Sequence, residues 1–310
     1  MKINADTHDL QQPPRRFSWR TVVVPLAFLA IHFVLSNMVA FAYMAIFAVI
    51  QAVRNNMDVS AFFDDPAMLN QLMESRILVI TTISGAVIIP ICLVYLHLAK
   101  RRDRRAYLTE KIKPTQVLAS VAAIIGSLGL INLWIGLLTV LQEQMPLIRD
   151  WMDEYLDSVN AVSTEDNYFW LIFGICLVTP IVEELIFRGV IQGELRKAMP
   201  EWAAIIIQAV VFAVYHLQPI QSSYVLLPGL LLGFAYASSR SIWVPIIMHC
   251  AFNFLGGVLP ALLEDNEAAL HGLAIVQFGF ILVGAMAIAY LLINRRKPAA
   301  CHQIFQNEEL

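Results

Sequence analysis

Eight stretches of this chain are long, apolar and almost free of charge, and no other feature restricts its fold as tightly. They run Thr21–Ile50, Ile77–Ala99, Thr115–Leu141, Tyr168 to Val182, Ala203–Leu217, Tyr224–Ser238, Ile242–Leu263 and Leu273–Ile293. A helix needs about 20 residues to cross the hydrocarbon of a bilayer, and most of these runs meet that length. Composition agrees: 58% of the 310 residues are hydrophobic and 15% charged, with a mean hydropathy of +0.65, whereas soluble domains carry roughly 25% charged residues. The expected fold is an all-α polytopic membrane bundle of about eight transmembrane helices. The fourth run is short unless its helix continues through Glu183, Glu184 and Arg188 to about Arg196, which would put two adjacent acids inside the membrane.

Charge placement gives the expected topology. If both termini are cytoplasmic, every lysine and arginine except Arg54, Arg76 and Arg149 falls on the cytoplasmic side, and Asp58, Asp64, Asp65, Asp150, Asp153, Asp157, Glu264 and Asp265 gather on the other. That asymmetry follows the positive-inside rule, and an odd number of spans would destroy it. The first run is far longer than a signal-peptide core and lacks a convincing cleavage site, so it reads as a retained helix. Of the four cysteines, Cys92, Cys176 and Cys250 fall within predicted helices and Cys301 in the tail, which suits neither a disulfide framework nor a zinc knuckle. We expect an integral protein of a bacterial inner (plasma) membrane, with the bilayer and a peptide as its partners and no nucleic acid.

No repeat or low-complexity tract divides the chain. The reading is a cytoplasmic tail over 1–20, one transmembrane domain over 21–294 and a second cytoplasmic tail over 295–310, with Arg54–Arg76, Lys100–Lys113 and Gln142–Asn167 as loops. The last of these contains Trp151, Tyr155 and several acids. It is either an amphipathic helix at the interface or a solvated loop.

Ionisable groups at membrane depth are costly, at least about 2.5–3.5 kcal/mol each at a helix centre, and so mark candidate sites. Four places qualify: Glu183 with Glu184, His216, His249 with Asn253, and His32. If Met199–Pro200 is the turn of a helical hairpin, Glu183 and His216 face each other, about 24 Å along their helices from that turn at 1.5 Å per residue. His249 and Asn253 are an i,i+4 pair on one face of the seventh helix. Glu184 and Arg188 share that spacing, which favours a structural ion pair and leaves Glu183 without a local partner. Phe212, one turn before His216, either walls the cavity or faces lipid. His32 reads as packing, and Gly229–Gly233 as a place of close helix approach.

Read in order, "EELIFR" at 183–188, "FAVYH" at 212–216 and "HCAFN" at 249–253 resemble the EExxxR, FxxxH and HxxxN motifs of the CAAX-protease and bacteriocin-processing (CPBP, or ABI) family of intramembrane endopeptidases. No motif position departs from the pattern, and the match covers a core of residues 168–254. The resemblance implies a peptidase with Glu183, His216, His249 and Asn253 as catalytic residues and Glu184, Arg188 and Phe212 in support, and we expect it to need no metal or other cofactor. Glu183 would be the general base for a water also held by His216, and His249 and Asn253 would donate to the oxyanion.

Zinc is the chemical alternative, with Glu183, His216 and His249 as ligands, although no HExxH is present and Asn253 would then have no task. The non-enzymatic alternatives are a transporter, which the absence of matched broken helices disfavours, and a non-catalytic scaffold or immunity protein. The cavity is expected to open toward the cytoplasm, for a cytoplasmic or membrane-embedded peptide.

Overall fold

The computed structural model describes residues 15–55, 58, 66–162 and 168–296. It is an all-α bundle, and an isolated bridge between Thr109 and Ser241 is the one piece of strand pairing among the described residues. Helices α1 (Arg20–Asn55), α2 (Pro66–Arg102) and α3 (Pro114–Leu141) come first. They are followed by α4 (Pro146–Val162), α5 (Tyr168–Leu195) and α6 (Glu201–Tyr215), then α7 (Pro219–Ser239), α8 (Trp243–Leu262) and α9 (Glu267–Ile293).

Seven of these are long and apolar enough to span a membrane, and α6, at 15 residues, is the short eighth. Their outer surfaces remain apolar: Phe41, Leu118, Ile275 and Leu282 are all exposed. Such a surface is stable against lipid rather than water, and the chain is an integral membrane protein. The tails beyond 15 and 296, with Cys301, Asp64 and Asp65, lie outside the described residues.

Three stretches outside the eight apolar runs are partly helical. α2 begins at Pro66 and not near Ile77, because Pro fits the first turn, where its missing N–H costs no hydrogen bond. α9 begins at Glu267, where Asn266 caps it by accepting from the Ala269 N–H at 3.0 Å. The open choice at 142–167 is resolved for residues 146–162 as an amphipathic helix. Ile148, Trp151, Met152 and Tyr155 on α4 pack against Leu138 and Ile220, while Asp153 and Glu154 are exposed.

α5 is not a uniform α-helix. Its turns widen to π geometry over Leu171–Val178 and Glu184–Gln192, and the Thr179 N–H reaches back five residues to Gly174 O. The next residue, Pro180, has no N–H and would crowd the carbonyl four residues before it, so a wide turn just upstream accommodates it. α8 repeats the device: Phe254–Val258 is π, the Leu259 N–H bonds to Phe254 O, and Pro260 follows. Both wide turns border residues singled out by the sequence.

Glycines set the closest helix contacts. A Cβ on Gly129 of α3 would lie 2.4 Å from Gln277 O of α9, and one on Gly126 would lie 2.6 Å from Phe280 O. These obstacles are backbone and cannot rotate away. Gly129→Val is therefore expected to force α3 and α9 apart and destabilise the bundle by about 1–3 kcal/mol, the usual range for overpacking. Thermal melts in detergent check this against Gly136→Val on the same helix. Nothing lies within 4 Å of the Cβ position at Gly136, and its melting temperature should be nearly unchanged. Gly229 and Gly233 play the expected packing role: added Cβ atoms would meet Phe212 Cδ1 at 3.1 Å and Gln208 Nε2 at 2.5 Å.

Candidate active site

The polar groups of α5 form a row at four-residue spacing: Glu184, Arg188, Gln192 and Arg196, all buried. Each has at least one partner on another element. Arg188 Nη1 donates to Glu184 Oε1 at 2.8 Å, its Nη2 donates to Gly229 O at 3.1 Å, and its guanidinium lies 4.6 Å from the Phe212 ring centroid. Gln192 Nε2 donates to Gly233 O and to Glu201 Oε1, and Arg196 Nη2 also donates to Glu201 Oε1 at 2.7 Å. The Gly229 and Gly233 carbonyls are within reach because no side chain stands over them. The expected Glu184–Arg188 pair is present, with both side chains fully buried.

Glu184 does more than balance Arg188. His249 Nδ1 lies 2.7 Å from the same Oε1, and since a carboxylate only accepts, the ring donates from Nδ1. That contact orients the imidazole and leaves Nε2 3.5 Å from Glu183 Oε2. His249 therefore bridges the two acids. The sequence placed it near Glu183 but gave no sign of its bond to Glu184.

Glu183 differs from its neighbour in exposure. Its side chain is 22% accessible, against 0% for Glu184, and it faces a cavity of about 510 Å³ that is also lined by Phe212, His216, His249 and Asn253. The four residues expected to carry chemistry thus share one space, and Phe212 walls it. His216 is not within α6 but is its C-terminal cap, since Leu217 turns into the left-handed region at φ 57° and ends the helix there. That conformation is uncommon for a residue other than glycine, and the Leu217 side chain is exposed. His216 Nδ1 is 2.8 Å from Phe212 O. A carbonyl accepts, so Nδ1 is the donor and Nε2 is left as an acceptor. No hydrogen bond joins His216 to Glu183. Asn253 Nδ2 donates to Ile175 O at 2.7 Å, which uses one of its two protons.

Several neighbours were not anticipated. Asn132 donates to Gln277 Oε1 at 2.6 Å, and Gln277 Nε2 to Leu255 O at 3.0 Å, which ties α3, α8 and α9 together at the cavity wall. Each is a lone amide within an apolar run, and that was the available signal. His32, read as packing, lies 2.7 Å through Nδ1 from the hydroxyl of Tyr215, the residue before His216. It also lines a second cavity of about 340 Å³ between α1, α2 and α5, which reaches Glu183 and Thr179 from the opposite side.

The alternative ligand set for zinc, Glu183, His216 and His249, is not gathered as a metal site. Among the described residues no three His, Cys, Asp or Glu side chains are grouped to hold an ion.

The cavity also extends in a direction the sequence did not suggest. Its lining reaches Tyr155 on α4, Gln221 near the start of α7, Leu270 near the start of α9 and Pro260 near the end of α8. All four lie toward the ends opposite the basic loops. The basic end is filled: Tyr236 accepts from the Leu108 N–H at 2.8 Å, Arg196 stacks 4.6 Å from the Tyr236 ring, and Ser239, Ser241 and Ile242 are buried beside them. The lining thus extends away from the basic loops, because the row from Arg188 to Arg196 and its partners occupies the volume beside them.

Comparison with known proteins agrees with the motif order. Residues 165–255 match the model of the family described as type II CAAX prenyl endopeptidase Rce1-like. A curated protein of Bacillus subtilis (strain 168) named "Putative membrane peptidase YdiL" is 35% identical over 77 residues, or 25% of this chain and 32% of that protein. The chain thus covers about a third of that relative's length. No solved structure matches. The segment containing Glu183, His216, His249 and Asn253 therefore carries the signature of the Rce1-like, CAAX-protease and bacteriocin-processing family.

Proposed function

We propose that the protein is an intramembrane endopeptidase in which Glu183 activates water. The observation that carries this reading is the contrast between adjacent acids. Glu184 is sealed and committed to Arg188 and His249, whereas Glu183 is part-exposed on a cavity with two imidazoles and an amide. Glu183 takes a proton from a water molecule whose other hydrogen is accepted by His216 Nε2. The water oxygen bonds to the peptide carbonyl carbon, and the carbonyl oxygen becomes an oxyanion. The second amide proton of Asn253 stands on the α8 side to stabilise it, and His249, held by Glu184 through Nδ1, joins it as the imidazolium, whose Nε2 also carries a proton. When the C–N bond breaks, the proton on Glu183 passes to the leaving amine, so the carboxylate is restored.

The test is cleavage of a quenched apolar peptide by purified protein under prolonged chelation. Activity should persist, and elemental analysis should find no stoichiometric zinc. His249→Ala and Asn253→Ala should each lower turnover by roughly 10²–10³, the usual loss for one oxyanion donor, with substrate binding largely kept. Zinc chemistry predicts a different pattern, in which loss of His249 releases the ion and loss of Asn253 matters little. Zinc whose removal and return switches cleavage off and on would overturn the proposal.

A further inference from the structure

We infer that the second cavity, between α1, α2 and α5, is a water reservoir behind Glu183, and that Thr179 is a positioning residue that holds the next hydrolytic water beside the carboxylate, a role that rests on the peptidase reading above.

Glu183 and Thr179 line both cavities. They are four residues apart on α5, so their side chains share one face of the helix. A threonine hydroxyl inside a helix ordinarily donates back to a carbonyl three or four residues earlier. Thr82 on α2 does so, to Leu78 O at 2.7 Å. For Thr179 the carbonyl four residues back is Ile175 O, which accepts instead from Asn253 Nδ2 at 2.7 Å. The backbone is also widened there, with the Thr179 N–H on Gly174 O. Thr179 Oγ1 is buried and has no hydrogen-bond partner among the described residues. A buried hydroxyl left in that state costs free energy, and in native proteins an ordered water commonly meets it. A water at this point accepts from Thr179 Oγ1 and donates to Glu183.

The second cavity can supply that water. It measures about 340 Å³, room for several molecules at about 30 Å³ each in the liquid. Along α2 it runs from Gly85 to Met73, about 18 Å at 1.5 Å per residue, and Met73 and Asn37 are exposed at the bundle surface. His32, Ser36, Asn37 and Thr81 give it polar walls, and the bond of His32 Nδ1 to Tyr215 leaves Nε2 for water. Dry cavities in proteins are apolar, whereas a polar one with this much room is wet. A peptide seated in the larger cavity of about 510 Å³ displaces water from it. The second cavity then still delivers water to Glu183 for the next turnover.

The first arm of the test needs no catalysis, so its failure is distinct from failure of the peptidase reading. In liposomes, Thr81→Cys and Val87→Cys are treated with a small water-soluble methanethiosulfonate, and the label is located by peptide mass analysis. Val87 is exposed on the outer surface of α2, where lipid surrounds it. Thiols react as thiolates, which form in water and are suppressed in apolar surroundings. We expect Thr81→Cys to react at least about tenfold faster than Val87→Cys; equal rates would show the cavity to be dry and overturn the reservoir. The second arm is turnover of the quenched peptide. Thr179→Val keeps the shape of the side chain and removes the hydroxyl, so kcat should fall about 3–10-fold, the worth of one hydrogen bond, with KM unchanged and the melting temperature not lowered. Thr179→Ser should keep the kcat of wild type. A Thr179→Val protein with wild-type kcat, one whose KM rises while kcat holds, or a Thr179→Ser protein as slow as Thr179→Val would overturn the role of Thr179.

Discussion

Glu184→Gln is expected to lower stability by about 3 kcal/mol, near the lower end of the 3–5 kcal/mol lost when one member of a buried ion pair is removed. The reason is what remains behind. Arg188 is 0% exposed, and without Glu184 its charge keeps only Gly229 O and the face of Phe212. Gln retains an acceptor for Arg188 and His249, hence the lower end of the range. Replacing both members, Glu184→Gln with Arg188→Met, removes the stranded charge and should recover most of the loss, since neutral replacement of a whole buried pair is often tolerated. Activity should not recover with it, because His249 has lost the carboxylate that orients its ring. Thermal melts in detergent, read beside peptide turnover, separate the two effects. A double variant that regains both stability and full turnover would show that Glu184 has no role in positioning His249.

The architecture was legible because lipid imposes a simple rule on sequence: spanning helices must be long and apolar. Eight runs in the chain became eight helices, and the hairpin turn at Met199–Pro200 did bring Glu183 and His216 to one cavity. What could not be read was anything that depended on local backbone exceptions. The wide turns that accommodate Pro180 and Pro260 and the left-handed Leu217 that stops α6 at His216 are local departures from regular helix, and a regular 3.6-residue period does not register them. The same limit explains the missed contact of His32 with Tyr215. A lone histidine in α1 has no companion in its own helix, and its partner lies 183 residues away. That the cavity extends away from the basic loops could not be read for a related reason: the volume beside them is filled by Tyr236 and by side chains whose paired roles emerge only when α5 meets α7.

Glu183 is the residue on which the account depends. Its part-exposed carboxylate lies between the two cavities, with His249 Nε2 3.5 Å from Oε2 and no ion pair to an arginine. Replacement by Gln keeps the size and hydrogen-bonding capacity of the side chain but removes the base. General-base catalysis alone contributes about 10²–10⁴ in rate, and Glu183 also returns the proton to the leaving amine, so the loss should sit at or beyond the top of that range. Because Glu183 carries none of the Arg188 pairing, the variant should melt within about 0.5 kcal/mol of the parent, as substitutions away from such pairs usually do. The most direct measurement is turnover of a quenched apolar peptide by purified wild-type and Glu183→Gln protein, with melting curves of both recorded on the same samples. The account predicts no detectable cleavage by Glu183→Gln at unchanged stability; cleavage within tenfold of wild type by a fully folded Glu183→Gln would contradict it.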